Sequence, residues 1–80
     1  MSTATPTTRT LGSNIRRIRE EVEISQLALA HKMGWRGSNA GAQISRFENG
    51  SKEPRFSTLE RIAKALGVSV GVLTKQPGGK

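Results

Sequence analysis

Cysteine and tyrosine are absent from this chain, and tryptophan and histidine occur once each. Without cysteine there is no disulfide framework and no thiolate metal site, which fits a reducing compartment. Acidic residues are few: six carboxylates stand against 13 Lys and Arg, a formal net charge of +7. No apolar run approaches the roughly 20 residues that span a bilayer. The opening "MSTATPTTRT" lacks the apolar stretch of a secretory signal. The one histidine, His31, is read as a solvated residue on the outer side of a helix, and serines have no adjacent base to activate them. No enzyme activity, cofactor, metal or membrane association is expected.

What is present is positive charge, unevenly placed. Residues 1–24 carry Arg9, Arg16, Arg17 and Arg19 against Glu20, Glu21 and Glu23. Residues 25–56 carry Lys32, Arg36, Arg46, Lys52 and Arg55 against only Glu48 and Glu53. Such a balance favours a polyanionic partner, most often nucleic acid. With 80 residues there is room for one small domain and none for a separate ligand domain, so no small-molecule ligand is expected.

The pattern divides the chain into a disordered arm at 1–9, a folded unit at 10–75 and a flexible tail at 76–80. Leu11, Ile15, Ile18 and Val22 share one helical face, with Thr10 as N-cap. Arg16–Glu20 and Arg17–Glu21 are i,i+4 pairs on its wet side. Ser25 caps a second helix carrying Leu27, Leu29, Ala30 and Met33, which Gly34 stops. Asn49-Gly50-Ser51 is a turn. Ser57-Thr58-Leu59-Glu60 has the form of a capping box, followed by Leu59, Ile62, Ala63 and Leu66 and closed by Gly67. Val68, Val70 and Val72 alternate like a strand. Ser69 can instead cap a short helix ending near Leu73, and a lone strand would have no partner, so helix is favoured.

Between the second helix and "QISRFENG" lies a glycine-bearing stretch, "MGWRGSNAGA". Glycine costs about 1 kcal/mol relative to alanine inside a helix. "GSNAG" lacks the Lys-Ser/Thr ending of a phosphate-binding loop and follows no strand. "GWRG" has the form of a KH-type GXXG loop, but a KH domain needs a sheet that this chain cannot supply. Dinucleotide binding fails for want of βαβ units. An enlarged turn followed by a helix starting near Asn39 or Ala40 remains, either as a plain surface loop or as a loop lying beside a nucleic acid.

At these residues a resemblance enters. "ISQLALAHKMG", "QISRFENGSKEP" and "LERIAKALGVS", in that order, resemble the helix-turn-helix domain of the Cro and phage-repressor type, the XRE-like family, over residues 10 to 74. The resemblance implies an all-α, compact five-helix domain with the third helix in the major groove of DNA. It implies that Gln26 meets a phosphate at the start of the second helix. Arg19 and Glu48 match a buried ion pair tying the first helix to the third. Leu29, Ala30, Ile44 and Phe47 match core positions, and Trp35 matches a core residue after the glycine. Arg46 matches a recognition-helix position, and Arg55 a basic residue along the backbone or minor groove. The chain departs from the pattern in its longer turn between the second and third helices. It departs again at Ala28, which stands where a capping glutamate is usual.

Gly41 and Ala42 occupy the first turn of the third helix, where family members place glutamine readers. Ala42 has only a methyl to offer, to a thymine. The expected readers are Gln43 and Arg46, with Asn39, Ser45 and Asn49 as further candidates. Lys52, Arg55, Arg36 and Gln26 are expected on phosphates. Val68, Val70, Val72 and Leu73 form an apolar end that suits a dimer interface, and the alternative is that they finish a thin core. The whole reads as a dimeric, sequence-specific transcription regulator of the repressor kind, cytoplasmic and nucleoid-associated, on a palindromic double-stranded operator. The competing expectations are an antitoxin-type module with a protein partner, and RNA binding through the basic face.

Overall fold

A computed structural model of the chain describes residues 8–75. Five helices follow one another: α1 Thr8–Glu21, α2 Gln26–Lys32, α3 Ala40–Glu48, α4 Phe56–Leu66 and α5 Val70–Leu73. The fold is all-α, with an enlarged turn between α2 and α3. The tail at 76–80 and the arm as far as residue 7 lie outside the described residues. α1 already runs at Thr8, so Thr10 is inside the helix and not its N-cap.

One face of each helix builds the core. Ile15 and Ile18 of α1 meet Leu29 and Ala30 of α2, Ile44 and Phe47 of α3, Leu59, Ile62 and Leu66 of α4, and Leu73 of α5. Ile15, Leu29, Ile44, Ile62 and Leu73 are fully buried. Each such side chain contributes roughly 1.5–3 kcal/mol relative to exposure. Val22 is 45% exposed, because α1 ends at Glu21 and the apolar period does not continue past it. Leu27 stands at the edge of α2 and is also exposed. Leu73, expected at an interface, is spent on this chain's own core, whereas Val72 is exposed and Val68 and Val70 are half-buried.

The helix ends share one chemistry. After α2, Gly34 takes φ +94°, its N–H donates to the His31 carbonyl, and Trp35 N–H donates to the Ala30 carbonyl at 3.0 Å. This six-to-one closure satisfies the last carbonyls of a helix. Ser51 N–H to Arg46 and Val68 N–H to Ala63 close α3 and α4 in the same way. At the end of α1 the left-handed residue is Glu23, φ +61°, with Ile24 N–H on the Arg19 carbonyl.

The helix starts differ more from expectation. Ser25 Oγ accepts from Ala28 N–H at 3.0 Å and caps α2. α4 starts at Phe56 with Arg55 as its extended N-cap residue and no side-chain cap, so Ser57-Thr58-Leu59-Glu60 is not a capping box. The residue before a proline is held out of the helical region. Pro54 then leads through the extended Arg55 into the helix at Phe56, one residue before Ser57. The valine-rich end is a helix: Ser69 Oγ accepts from Val72 N–H. Asn14, buried inside α1, donates through Nδ2 to the carbonyls of Leu73 and Lys75, both at 2.8 Å, and clasps the end of α5.

Candidate nucleic-acid interface

α3 carries the site, and the packing of its inner face decides which residues face out. Ala40, Ile44, Phe47 and Glu48 are buried. Asn39, Ala42, Arg46 and Asn49 consequently form the outer stripe, all exposed, at helical spacing. Gln43 and Ser45 lie on the shoulders and are half-buried. Asn39 holds the N-cap position at φ −90°, ψ 0°, but its side chain makes no cap bond. Asn49 Oδ1 accepts from Ser51 N–H at 2.9 Å and from Ser51 Oγ, which turns its oxygen back into the turn.

The glycines of the odd stretch have distinct tasks. Gly34 stops α2, and Gly37, φ +94°, reverses the enlarged turn. Gly41 is different: a Cβ there would stand 3.1 Å from the backbone nitrogen of Leu27. It sits where the first turn of α3 passes α2. His31 Nε2 lies 3.4 Å from the Gly37 carbonyl oxygen, so the exposed imidazole reaches the turn instead of standing alone in solvent.

The C-terminal half of α3 is tied down by a carboxylate. Arg19 Nε and Nη2 donate to Glu48 Oε2 and Oε1 at 2.5 and 3.1 Å, and Arg19 Nη1 donates to the Ile24 carbonyl at 2.8 Å. The side chains are 11% and 3% exposed, so this is a buried bidentate pair. The Glu48 hydrogen bonds hold the Arg19 pKa above its ordinary value against the opposing desolvation, and the Glu48 and Glu20 charges add to the rise. Gln26 Nε2 also donates to Glu48 Oε1, at 3.0 Å. The amide expected to meet a phosphate is therefore partly engaged inside the protein.

Beside α3 opens a cleft of about 780 Å³. Trp35 and Arg36 of the turn, Asn39 and Gln43 of α3, and Lys52 and Arg55 line it. Lys52 Nζ lies 3.4 Å from Gln43 Oε1, linking an expected phosphate ligand to an expected base reader. Trp35 is half-buried and packs on the core, its ring 6.2 Å from that of Phe47 and tilted by 51°. The cleft was not legible in the sequence, where Trp35 stands as a core position with base stacking as its alternative and Glu53 only precedes a proline. Among the described residues no group of three His, Cys, Asp or Glu is placed to hold a metal, and no helix is long and apolar enough to cross a membrane.

Comparison with known proteins gives a consistent picture. A helix-turn-helix family model matches residues 15–73. A hypothetical transcription factor, NHTF, from Neisseria superposes with a TM-score of 0.78 at 26% identity, covering 96% of this chain and 88% of that one. The P22 c2 repressor, solved with a synthetic operator, superposes at 0.70 with 32% identity over 81% of this chain and 92% of its own. Hydroxypropylphosphonic acid epoxidase from S. wedmorenis matches at 0.74 with 29% identity over 90% of this chain but only 36% of its own. The last likeness concerns one part of a larger protein. No curated protein sequence matches the chain significantly.

Proposed function

This chain belongs to the helix-turn-helix family of the Cro and phage-repressor type, and from that premise we propose that it is a sequence-specific DNA-binding transcription regulator that presents α3 to the major groove. The observation that carries the reading is the outer stripe of α3. Asn39, Ala42 and Arg46 face away from the core, Gln43 stands on the shoulder, and Lys52 and Arg55 follow at its flank. Arg46 and Gln43 read bases. Arg on guanine is the commonest specific contact and contributes about 1–3 kcal/mol of discrimination. Lys52 and Arg55 hold phosphates and fix the register without reading sequence. The P22 repressor, which shares the fold, was solved on an operator, and this supports duplex DNA over RNA as the partner.

A two-fold dimer reading two half-sites about 34–36 Å apart fits the family geometry. In this chain Val72, 39% exposed, and the half-buried Val68 and Val70 are the apolar surface for it, with Leu73 excluded by its burial. The reading places the protein in the cytoplasm with the nucleoid, acting as a repressor. A second reading, an antitoxin-type module with a protein partner, draws support from Phe56, a 64%-exposed aromatic on the first residue of α4.

The test is selection of bound duplexes from a random pool, followed by titration with variants. Arg46→Ala is expected to relax the preference at one base position while the fold persists. Lys52→Ala should weaken all duplexes alike and lower the salt slope by about one unit. An unchanged preferred sequence in Arg46→Ala would overturn the assignment of that residue. A pool that yields no enriched sequence would overturn DNA reading as a whole.

A further inference from the structure

The enlarged turn before α3 supplies Trp35 and Arg36 to the cleft beside that helix. We propose that the cleft is a backbone-binding site: it takes the sugar–phosphate of one DNA strand, with Arg36 on a phosphate and a deoxyribose against Trp35. The proposal rests on the DNA-reading function above and assigns the turn a part in it.

Charge is the first argument. Arg36, Lys52 and Arg55 line the cleft against a single carboxylate, Glu53. Among the described residues the ion pairs are Arg16–Glu20, Arg17–Glu21 and Arg19–Glu48, so none of the three cleft cations is neutralised by a pair. Such a surface favours an anion with several charges in a row. Position is the second argument. Gln43 lies in the same cleft and touches Lys52, so a strand held there runs directly beside the reading stripe. Rigidity is the third. Trp35 is anchored against Phe47, and its backbone N–H is fixed on the Ala30 carbonyl. It presents a fixed apolar wall, which suits the apolar face of a sugar while the cations meet its phosphates. Arg36 follows immediately and is exposed, free to reach outward.

Trp35 is the only tryptophan in the chain, so the site reports on itself. Acrylamide quenching of the wild-type fluorescence is measured with and without a duplex selected from the random pool. Phosphate ethylation interference is then mapped on that duplex for the wild type, Arg36→Ala and Lys32→Ala, the last removing an exposed cation outside the cleft. The expected result is protection of Trp35 by the duplex and loss of interference at one phosphate in Arg36→Ala. A uniform, several-fold weaker binding and a salt slope lower by about one unit should accompany it. Lys32→Ala should keep the wild-type interference pattern. Unchanged quenching of Trp35, or an Arg36→Ala pattern equal to that of the wild type, overturns the proposal. If duplexes are still bound with an Arg46-dependent preference in that case, the reading function stands and only the cleft is refuted. If no duplex is bound, both fail.

Discussion

Gly12 of α1 lies directly against the last turn of α3: a Cβ on it would overlap the carbonyl oxygen of Phe47 and stand 2.8 Å from the carbonyl carbon of Glu48. The obstruction is backbone, which cannot rotate away. Alanine is the better helix former by about 1 kcal/mol, but overpacking costs about 1–3 kcal/mol or more. Gly12→Ala is therefore expected to lower stability by about 2 kcal/mol, read as a lower urea midpoint with an unchanged slope. A stabilised variant would show that α1 and α3 are further apart than described.

The Arg19–Glu48 pair calls for two variants. Removing one partner leaves a buried charge without compensation, so Arg19→Ala should cost about 3–5 kcal/mol. Replacing both with apolar residues, Arg19→Met with Glu48→Leu, should recover most of that loss. The pH behaviour follows from the raised Arg19 pKa. A raised folded-state value contributes stability below the unfolded pKa and loses it only as pH climbs through the folded one. For an arginine that window lies far above neutrality. Thermal melts of the wild type between neutral pH and pH 9 should accordingly show no loss traceable to Arg19.

Glu23 holds a left-handed backbone at φ +61°. A residue with a Cβ costs roughly 1–2 kcal/mol there relative to its preferred region, while glycine carries more entropy in the unfolded chain. Glu23→Gly should stabilise by a net amount of about 0.5–1 kcal/mol. Differential scanning calorimetry checks it, and a lower Tm would contradict the turn geometry.

Asn14 ties α1 to the end of α5 through two hydrogen bonds. Asn14→Ala removes both donors and strands the carbonyls of Leu73 and Lys75. At roughly 1 kcal/mol per bond, the loss should be about 2 kcal/mol. Hydrogen exchange should speed up first in α5, whose four residues have little other hold besides the burial of Leu73.

These residues also mark what was legible in the sequence. The helix faces were, because burial imposes the 3.6-residue period directly on Leu11, Ile15 and Ile18, and again on Leu59, Ile62 and Leu66. The Ser25 cap was legible, because the hydroxyl and the following amide are local in the chain. Val22 was misjudged because a period does not announce where its helix stops. Ser57-Thr58-Leu59-Glu60 has cap chemistry, but the entry from Pro54 set the start earlier. Asn14 looked like any polar helix residue, since its partners lie 59 and 61 positions away. Gly41 looked like a cost to helicity until the neighbouring backbone was in place, and Gly12 gave no signal of its own. At the candidate site, the outward placement of Arg46 could be read from register, whereas the contact between Gln26 and Glu48 joins elements 22 residues apart and left no local trace.

The carboxylate of Glu48 also gives the reading helix two unlike ends. Its final turn is fixed to α1 and α2 by Arg19, Gln26 and the close passage of Gly12, and yields only if several bonds break together. Its first turn has no side-chain cap and is held by packing alone, with Ala40 buried and Gly41 against the Leu27 backbone of α2. In the proposed DNA-reading role, releasing Glu48 by Arg19→Ala should therefore disturb contacts made by Arg46 before those made by Ala42.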